Sequence, residues 1–323
     1  MNIVLICRFH PLHSGHIDIL KAAQKATGAV LSRLVVVVVG MQQRREARYP
    51  WTTSEQAAAV ASVLGEQSAE IIEVGEYNHD ADLLTQLQPL LGAPDNWSWG
   101  VIEDDFNPEA LGLKVWSVPD TRADTVRLRD EGYEGHLSDD AVASALFDDL
   151  RTLVQWDALV AEHRMIRKYM QSWALAPYPV NLVTADSVLY RDGAILLIQR
   201  AQIPGKDLWA LPGGFVETDE TLMAASLREV AEETGLHLSS AVLKDRFKGS
   251  RIFDRPHRCS RGRTVTHGFI YDLSGLDLPP AKAGDDAAAT RWVSVEALES
   301  LQEVFFQDHY HIADDLLRAA HLR

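Results

Sequence analysis

Cysteine is scarce: the 323 residues hold two, Cys7 and Cys259. Two thiols so far apart make no disulfide framework, so a reducing, cytoplasmic setting is expected. Long hydrophobic runs are missing too. Residues 3–7 and 34–39 are apolar, but both runs fall far short of the roughly 20 residues that span a bilayer. The first also lacks the basic flank of a signal peptide, so no membrane partner is expected. Positive charge is in deficit, with 31 Lys and Arg against 46 Asp and Glu and a net charge of −15. Such a chain is not expected to hold nucleic acid, which binds by phosphate neutralisation. Smaller phosphate ligands stay open, because a local set of donors or a metal is enough for them. There is no internal repeat and no low-complexity segment.

What is present is ordinary in bulk: 46% apolar and 24% charged residues. The length favours two domains over one. In the first half, strand-like runs (3–7, 34–40, 71–74, 99–103, 113–117) alternate with helix-like ones (15–27, 53–64, 80–91, 139–150). Continuously apolar strands between helices predict a doubly wound parallel sheet, with a ligand crevice at the carboxyl ends of its strands. Thr52 or Thr53 is the expected N-cap of the helix at 53–64. Residues 156–173 read as a charged helix, and ALAPYP at 174–179 breaks the pattern, so the domains are expected at 1–175 and 176–323. Beyond the break the texture changes. Strands are expected at 182–190 and 194–199, joined by an Asp192-Gly193 turn. More follow at 243–247, 264–272 and after 285. Helices are expected at about 220–234, 295–301 and 309–320. The second domain is therefore α+β.

The sharpest local pattern lies in that second domain. GFVETDE (Gly214 to Glu220) is followed seven residues later by REVAEETGL (Arg228 to Leu236), and Leu211-Pro212-Gly213 precedes it. Asp219 and Glu220 are expected in the first helical turn and Gly235 at the C-cap. Glu229, Glu232 and Glu233 are spaced i, i+3, i+4 and share a helix face. Three carboxylates on one face call for a cation between them. Mg²⁺, with Mn²⁺ as the other choice, is the hard ion that suits oxygen donors and substrate phosphates. Arg228 is placed to orient a carboxylate such as Glu220, and Gly213 and Gly214 to bring backbone close to metal and phosphate. The other reading of the glutamates alone is a solvated acidic face. The whole segment resembles the Nudix box at every defined position. The resemblance implies a metal-dependent hydrolase of nucleoside diphosphate derivatives, with Glu229, Glu232 and Glu233 catalytic and metal-binding and Gly213 a further metal ligand.

After the box, five arginines (Arg251, Arg255, Arg258, Arg261 and Arg263) fall in FDRPHRCSRGRTVTH and just before it. Arginine suits bidentate phosphate capture and aromatic stacking; a basic edge strand and loop is the structural alternative. The run resembles FDxPxRSxRGRTITH of ADP-ribose pyrophosphatase domains fused to nucleotidyltransferases. That implies ADP-ribose as substrate, with Arg228, Arg258, Arg261 and Arg263 binding it. Asp285 and Asp286 are candidates for the general base.

In the first domain a strand runs into RFHPLHSGH, from Arg8 to His16. His13 and His16, three apart at a helix N-terminus, can both face a phosphate. Imidazole donors and the helix dipole would stabilise charge on an α-phosphoryl during in-line attack. A zinc set from Cys7, His10, His13 and His16 is not expected, since the strand-to-helix change splays those side chains. The motif resembles the HxGH signature of nucleotidyltransferases, and in detail GRFQPFHxGH of archaeal-type NMN adenylyltransferases. YPWTTSE from Tyr49 is similar to their NPFTxxE, and RADTVR from Arg122 to their SATxIR. The resemblance implies a Rossmann-like domain in which His13 and His16 are catalytic and Arg8, Phe9, Gly40 and Arg127 bind substrate. Four positions differ: Cys7 stands for Gly, Gln56 for Arg, and Arg122 and Asp124 for the phosphate-donor Ser and Thr.

Together the two resemblances cover the chain and imply a bifunctional NMN adenylyltransferase/Nudix hydrolase. ATP, NMN, NAD and ADP-ribose are the expected ligands, and homo-oligomerisation is left open. The alternative is an ADP-ribose hydrolase whose first domain only senses a nucleotide. A Nudix-type transcriptional regulator is a third reading, but it would need a basic DNA-binding module that this sequence lacks.

Overall fold

The computed structural model describes residues 1–28, 32–65, 68–77, 79–136 and 139–323. They fall into two compact units, Met1–His163 and Arg164–Arg323.

In the first unit β1 (Ile3–Cys7), β2 (Leu34–Val39), β3 (Glu70–Val74) and β4 (Ser98–Ile102) run parallel in the order β3-β2-β1-β4. Successive side chains leave opposite faces of a strand. Ile3, Leu5 and Cys7 join Leu34, Val36 and Val38 in one apolar cluster, while Val4 and Ile6 join Val35, Val37 and Val39 in another. Both faces are covered, which is why these strands read as unbroken apolar runs. The intervening helices are α1 (Ser14–Ala26), α2 (Thr53–Leu64) and α3 (Asp80–Leu91), and α4 (Arg122–Glu134), α5 (Ala141–Arg151) and α6 (Trp156–Ser172) follow β4. The division between the units falls inside α6. Thr52 caps α2 in a reciprocal box with Glu55.

The chain steps from β1 to β2 to β3 in one direction, then crosses to put β4 on the other side of β1. Open α/β sheets leave their crevice at such a switch point, outside the carboxyl ends of the strands. Here those ends are Cys7 and Ile102. The strand expected at 113–117 does not form. That segment has only an isolated bridge, Val115 to Trp99, held by Trp99 N–H to Lys114 O and Trp116 N–H to Trp99 O, each 2.8 Å. One paired residue, with Gly112 before it and Pro119 after, is too little to make a ladder.

In the second unit β5 (Leu182–Arg191) and β6 (Ala194–Arg200) form a hairpin, followed by β7 (Trp209–Ala210), β8 (Gly213–Phe215), α7 (Leu222–Thr234) and α8 (Ser240–Arg246). Then come β9 (Phe247–Phe253), β10 (Thr264–Asp272), β11 (Ala287–Ser294) and α9 (His309–Ala319). The mixed sheet is ordered β11-β6-β5-β10-β9, with β7 on β6 and β8 on β5. One face packs against α7 through Ala225 and Val230, the other against α9 through Ile312 and Leu316. Asp192 and Gly193 both have positive φ, 49° and 86°, as the expected tight hairpin requires. Two expectations fail here. Residues 243–247 are not a strand: Ser239 caps α8 by accepting from Val242 N–H, and the strand starts only at Phe247. The stretch 295–301 is two 3₁₀ turns, Val295–Ala297 and Glu299–Val304, rather than one helix. Among the described residues no helix is long and apolar enough to cross a membrane.

Gly132, inside α4, tests this packing. A Cβ there would lie 2.3 Å from the Phe147 ring, which Trp51 and Tyr133 hold at centroid distances of 5.0 and 5.6 Å. Gly132→Ala is expected to destabilise the first unit by about 1–3 kcal/mol, the usual result of overpacking. The check is its unfolding midpoint in denaturant, and an unchanged midpoint would contradict the packing.

Candidate functional site

The first site lies at the switch-point crevice. His13 is the N-cap of α1, and its Nδ1 accepts the Gly15 N–H at 3.1 Å. With Nδ1 an acceptor, the ring proton sits on Nε2, which donates to Thr125 Oγ1 at 2.9 Å. The motif glycine has a steric reason: a Cβ on Gly15 would come within 3.0 Å of the His13 ring. His16, one turn on, points its Nε2 at Glu103 Oε1, 2.9 Å away. The same Glu103 oxygen accepts from Thr121 at 2.6 Å and Thr125 at 2.5 Å. Burial, then the neighbouring His16, holds the pKa of His13 down to about 4. Burial disfavours the Glu103 carboxylate, but its bonds from His16, Thr121 and Thr125 outweigh that and hold its pKa below the usual range.

Among the described residues, His13, His16 and Glu103 are the one set of three whose ligating atoms lie within 4.8 Å of one another. Hydrogen bonding argues against a metal there. The Gly15 N–H occupies Nδ1 of His13, so Nε2 carries hydrogen instead of a lone pair. The cluster offers donors to an anion. Of Cys7, His10, His13 and His16, the last two come together, with ring centroids 3.8 Å apart, and the first two stay apart from them. Cys7 is core, and His10 Nε2 meets Gln56.

The other residues singled out in this unit are placed differently. The Arg8 guanidinium is taken by carboxylates, at 2.5 and 2.9 Å to Glu76 and 2.5 Å to Asp104. Arg127 lies on the outer side of α4, exposed and paired with Glu131 and Asp124. It is not brought to the histidines. Phe9 is buried edge-on against the His16 ring, and Gly40 ends β2 with its N–H on Val74 O. Gln56 ties the motif loop down, accepting Phe9 N–H and donating to Trp51 O. Asp124 is exposed, and the hydroxyls absent at 122 and 124 are present one residue to either side, on Thr121 and Thr125. The first amides of α1 are not available to a phosphate. The Gly15 N–H is taken by His13 and the Ser14 N–H by Asp140.

The second site is built on α7. Thr221 is its cap, so Glu220 precedes the helix and is not in its first turn, nor is Asp219. Glu220 accepts from the Glu217 N–H and from Arg228 Nε and Nη2, at 3.1 and 2.7 Å. Arg228 also donates to Glu229 at 2.8 Å, Glu232 at 2.9 Å and Phe215 O at 3.0 Å. The three glutamates are not equivalent. Glu229 and Glu233, four apart, are buried; Glu232 is exposed on the Arg228 side. The Gly213 N–H donates to Glu233 at 2.9 Å, and a Cβ on Gly214 would fall 2.4 Å from Glu229 Oε1. Only glycine lets the loop lie on these carboxylates. Burial raises Glu229 and, with Glu229 and Asp186 beside it, pushes Glu233 up to about 8. Asp186, against which Gly213 packs, is pushed up by burial to about 7. Buried carboxyls short of positive charge, beside glycine backbone, form an all-oxygen donor set that fits a hard divalent cation. Glu229, Glu233 and the Gly213 backbone would hold it, with Glu232 at the rim.

The arginine run is largely committed to the protein itself. Arg258 is buried in a bidentate pair with Asp308, at 2.7 and 2.8 Å, and donates to Thr266. Arg263 pins the loop through the carbonyls of Asp254 and Arg255. Arg261 lies over the Phe215 ring at 4.7 Å, beside the glycine loop. Arg258 also faces Asp186 of the carboxylate site, but its guanidinium is committed to Asp308 and Thr266, which leaves Arg261 as the one stacked on the glycine loop. The sequence did not single out Glu103, Thr121, Thr125, Asp186 or Asp308. The Glu103-Asp104-Asp105 run after a strand was a usable sign; the rest depend on contacts across the fold.

A donor crevice at the switch point of a parallel sheet, in a chain with a glycine-loop glutamate helix, defines a nucleotidyltransferase-like unit joined to a Nudix unit. Residues 4–174 match the cytidylyltransferase-like family and residues 180–316 the NUDIX domain, and the chain belongs to both families. Along its whole length it is similar to a bifunctional NMN adenylyltransferase/ADP ribose pyrophosphatase from Francisella tularensis, solved with AMP and a Mn ion. The TM-score is 0.81 at 26% identity, covering 99% of each chain. A second structure of that protein, at 24% identity and TM-score 0.80, shares the fold. Over 158 residues the chain is 36% identical to an ADP-ribose pyrophosphatase of Methanocaldococcus jannaschii, covering 48% of this chain and 86% of the relative.

The cap geometry makes a spectroscopic prediction. With its pKa held to about 4, His13 stays neutral and Nε2-protonated from pH 8 down to 5. Imidazole ¹⁵N shifts should show no titration over that range, whereas a midpoint near 6.5 would contradict the assigned contacts.

Proposed function

We propose that the chain is a bifunctional enzyme of NAD metabolism, active in the cytoplasm. Residues 1–175 transfer the adenylyl group of ATP to NMN, giving NAD and pyrophosphate. Residues 176–323 hydrolyse ADP-ribose to AMP and ribose 5-phosphate with Mg²⁺, or Mn²⁺ in its place. The observation that carries this reading is the pairing of a histidine–hydroxyl donor crevice with a carboxylate–glycine cradle in one chain.

In the first unit, the NMN phosphate would attack the α-phosphorus of ATP in line. His16 and His13 donate from Nε2, and the hydroxyls of Thr121 and Thr125 are within reach of the same oxygens. Such donors stabilise charge that grows on the phosphoryl oxygens, and no covalent intermediate is needed. In the second unit, a divalent cation would polarise the diphosphate and acidify water. Arg228 holds Glu220, Glu229 and Glu232 in fixed relation, and the Gly213 N–H fixes one oxygen of Glu233. Arg261 offers its guanidinium to substrate phosphate, while Arg258 and Arg263 shape the loop that carries it.

A second reading has its own support. Arg8 is fully paired and Glu103 occupies the histidine donors, as a binding-only first unit beside an active hydrolase would allow. Incubation with ATP, NMN and Mg²⁺ separates the two. NAD and pyrophosphate are expected, and His16→Ala should slow their formation about 100-fold or more. No NAD at high enzyme concentration, with ADP-ribose still cleaved, would leave the second reading. For the hydrolase, Glu233→Gln is expected to lower ADP-ribose turnover about 100-fold or more while leaving the fold intact by circular dichroism. Unchanged turnover would refute the metal assignment.

A further inference from the structure

Glu103 has a placement that the adenylyl-transfer chemistry does not explain. One oxygen, Oε1, takes the His16 Nε2 contact and the Thr121 and Thr125 hydroxyls, and Thr125 in turn receives the His13 Nε2 proton. These are the groups a phosphate oxygen would use at this crevice. The site thus holds an anion already, supplied by the chain. Two further observations point the same way. Glu103 has φ of 56°, in the left-handed region that a non-glycine residue leaves readily once its side-chain contacts are lost. It also directly follows β4, at the switch point, so a change at this one residue moves its carboxylate without disturbing the sheet. The neighbouring N–H of Ser14 is taken by a second internal carboxylate, Asp140.

We propose that Glu103 is an internal anion that occupies the phosphate cradle of the first unit and sets its affinity for the ATP triphosphate. Triphosphate and Glu103 compete for the same donors, so ATP binds only as the carboxylate swings out. This rests on the nucleotidyltransferase reading of the crevice, but not on turnover. Glutamine at this position keeps the acceptor oxygen and the size while removing the charge, so the cradle opens more readily. Aspartate keeps the charge on a shorter arm and holds the donors less well.

The test is ATP affinity of the full-length chain by equilibrium dialysis in EDTA. Without divalent cation, the second unit keeps only arginine donors such as Arg261 for phosphate, and their contribution is the same in wild type and variants because Glu103 lies in the other unit. Glu103→Gln is expected to bind ATP about tenfold tighter than the wild type, with Glu103→Asp in between. Equal or weaker binding by Glu103→Gln overturns the proposal, and so does weaker binding by Glu103→Asp. The two variants guard against a folding defect in either one. Because no turnover is read, a chain that forms no NAD can still pass this test, and one that forms NAD can fail it.

Discussion

Carboxylates on one face of a helix repel each other, and burial sharpens the repulsion. On α7 the chain answers with Arg228, which reaches Glu220, Glu229, Glu232 and the Phe215 carbonyl. The compensation is incomplete by design of the geometry. Arg228 serves the outer flank, while Glu233, buried on the inner side, accepts the Gly213 N–H and is met by Arg200 through charge alone. The remaining repulsion is what would draw a divalent cation to this face in the proposed function. The first unit has an imbalance of another kind, in hydrogen-bond donors rather than charge. Its crevice gathers donors, and Glu103 and Asp140 fill them from within. Each site is thus a local departure from balance, of charge in one unit and of hydrogen-bond donors in the other.

Topology makes both departures possible. In the first unit β4 returns beside β1, so the segments that carry His13, His16 and Glu103 leave adjacent strand ends. In the second, β8 pairs with β5, which lays Gly213 and Gly214 against Asp186 and against α7. The glycines are required by contact, since a Cβ on either would fall within 2.4 Å of a carboxylate oxygen. Neither arrangement needs a basic surface, which fits a chain with a net charge of −15.

What was legible in the sequence depended on range. The runs at β1 and β2 announce a doubly covered parallel sheet, because burial on both faces writes itself into consecutive residues. The Asp192-Gly193 turn, the Thr52 cap and the Gly235 C-cap are equally local. The helix start was misread at Glu220, because an acidic residue before a cap looks like one after it until Thr221 takes the capping role. The segment 243–247 does not alternate: its apolar residues, Leu243 and Phe247, are four apart, a helical spacing, and Ser239 caps a helix there. Long-range partners were out of reach altogether. His16 meets Glu103 87 residues on, and Arg258 meets Asp308 50 residues on. An arginine that looks like a phosphate ligand in a one-dimensional run is, in Arg258, half of a buried ion pair.

Under the proposed function, cations bind at the glutamate face of α7 and anions in the histidine crevice. Crystals of the chain grown with MnCl₂ and measured for anomalous scattering at the manganese edge decide this directly. The predicted peak lies at Glu229 and Glu233 beside Gly213, with none at His13 and His16. A manganese peak bound by His13, His16 and Glu103, with the α7 carboxylates empty, would contradict it.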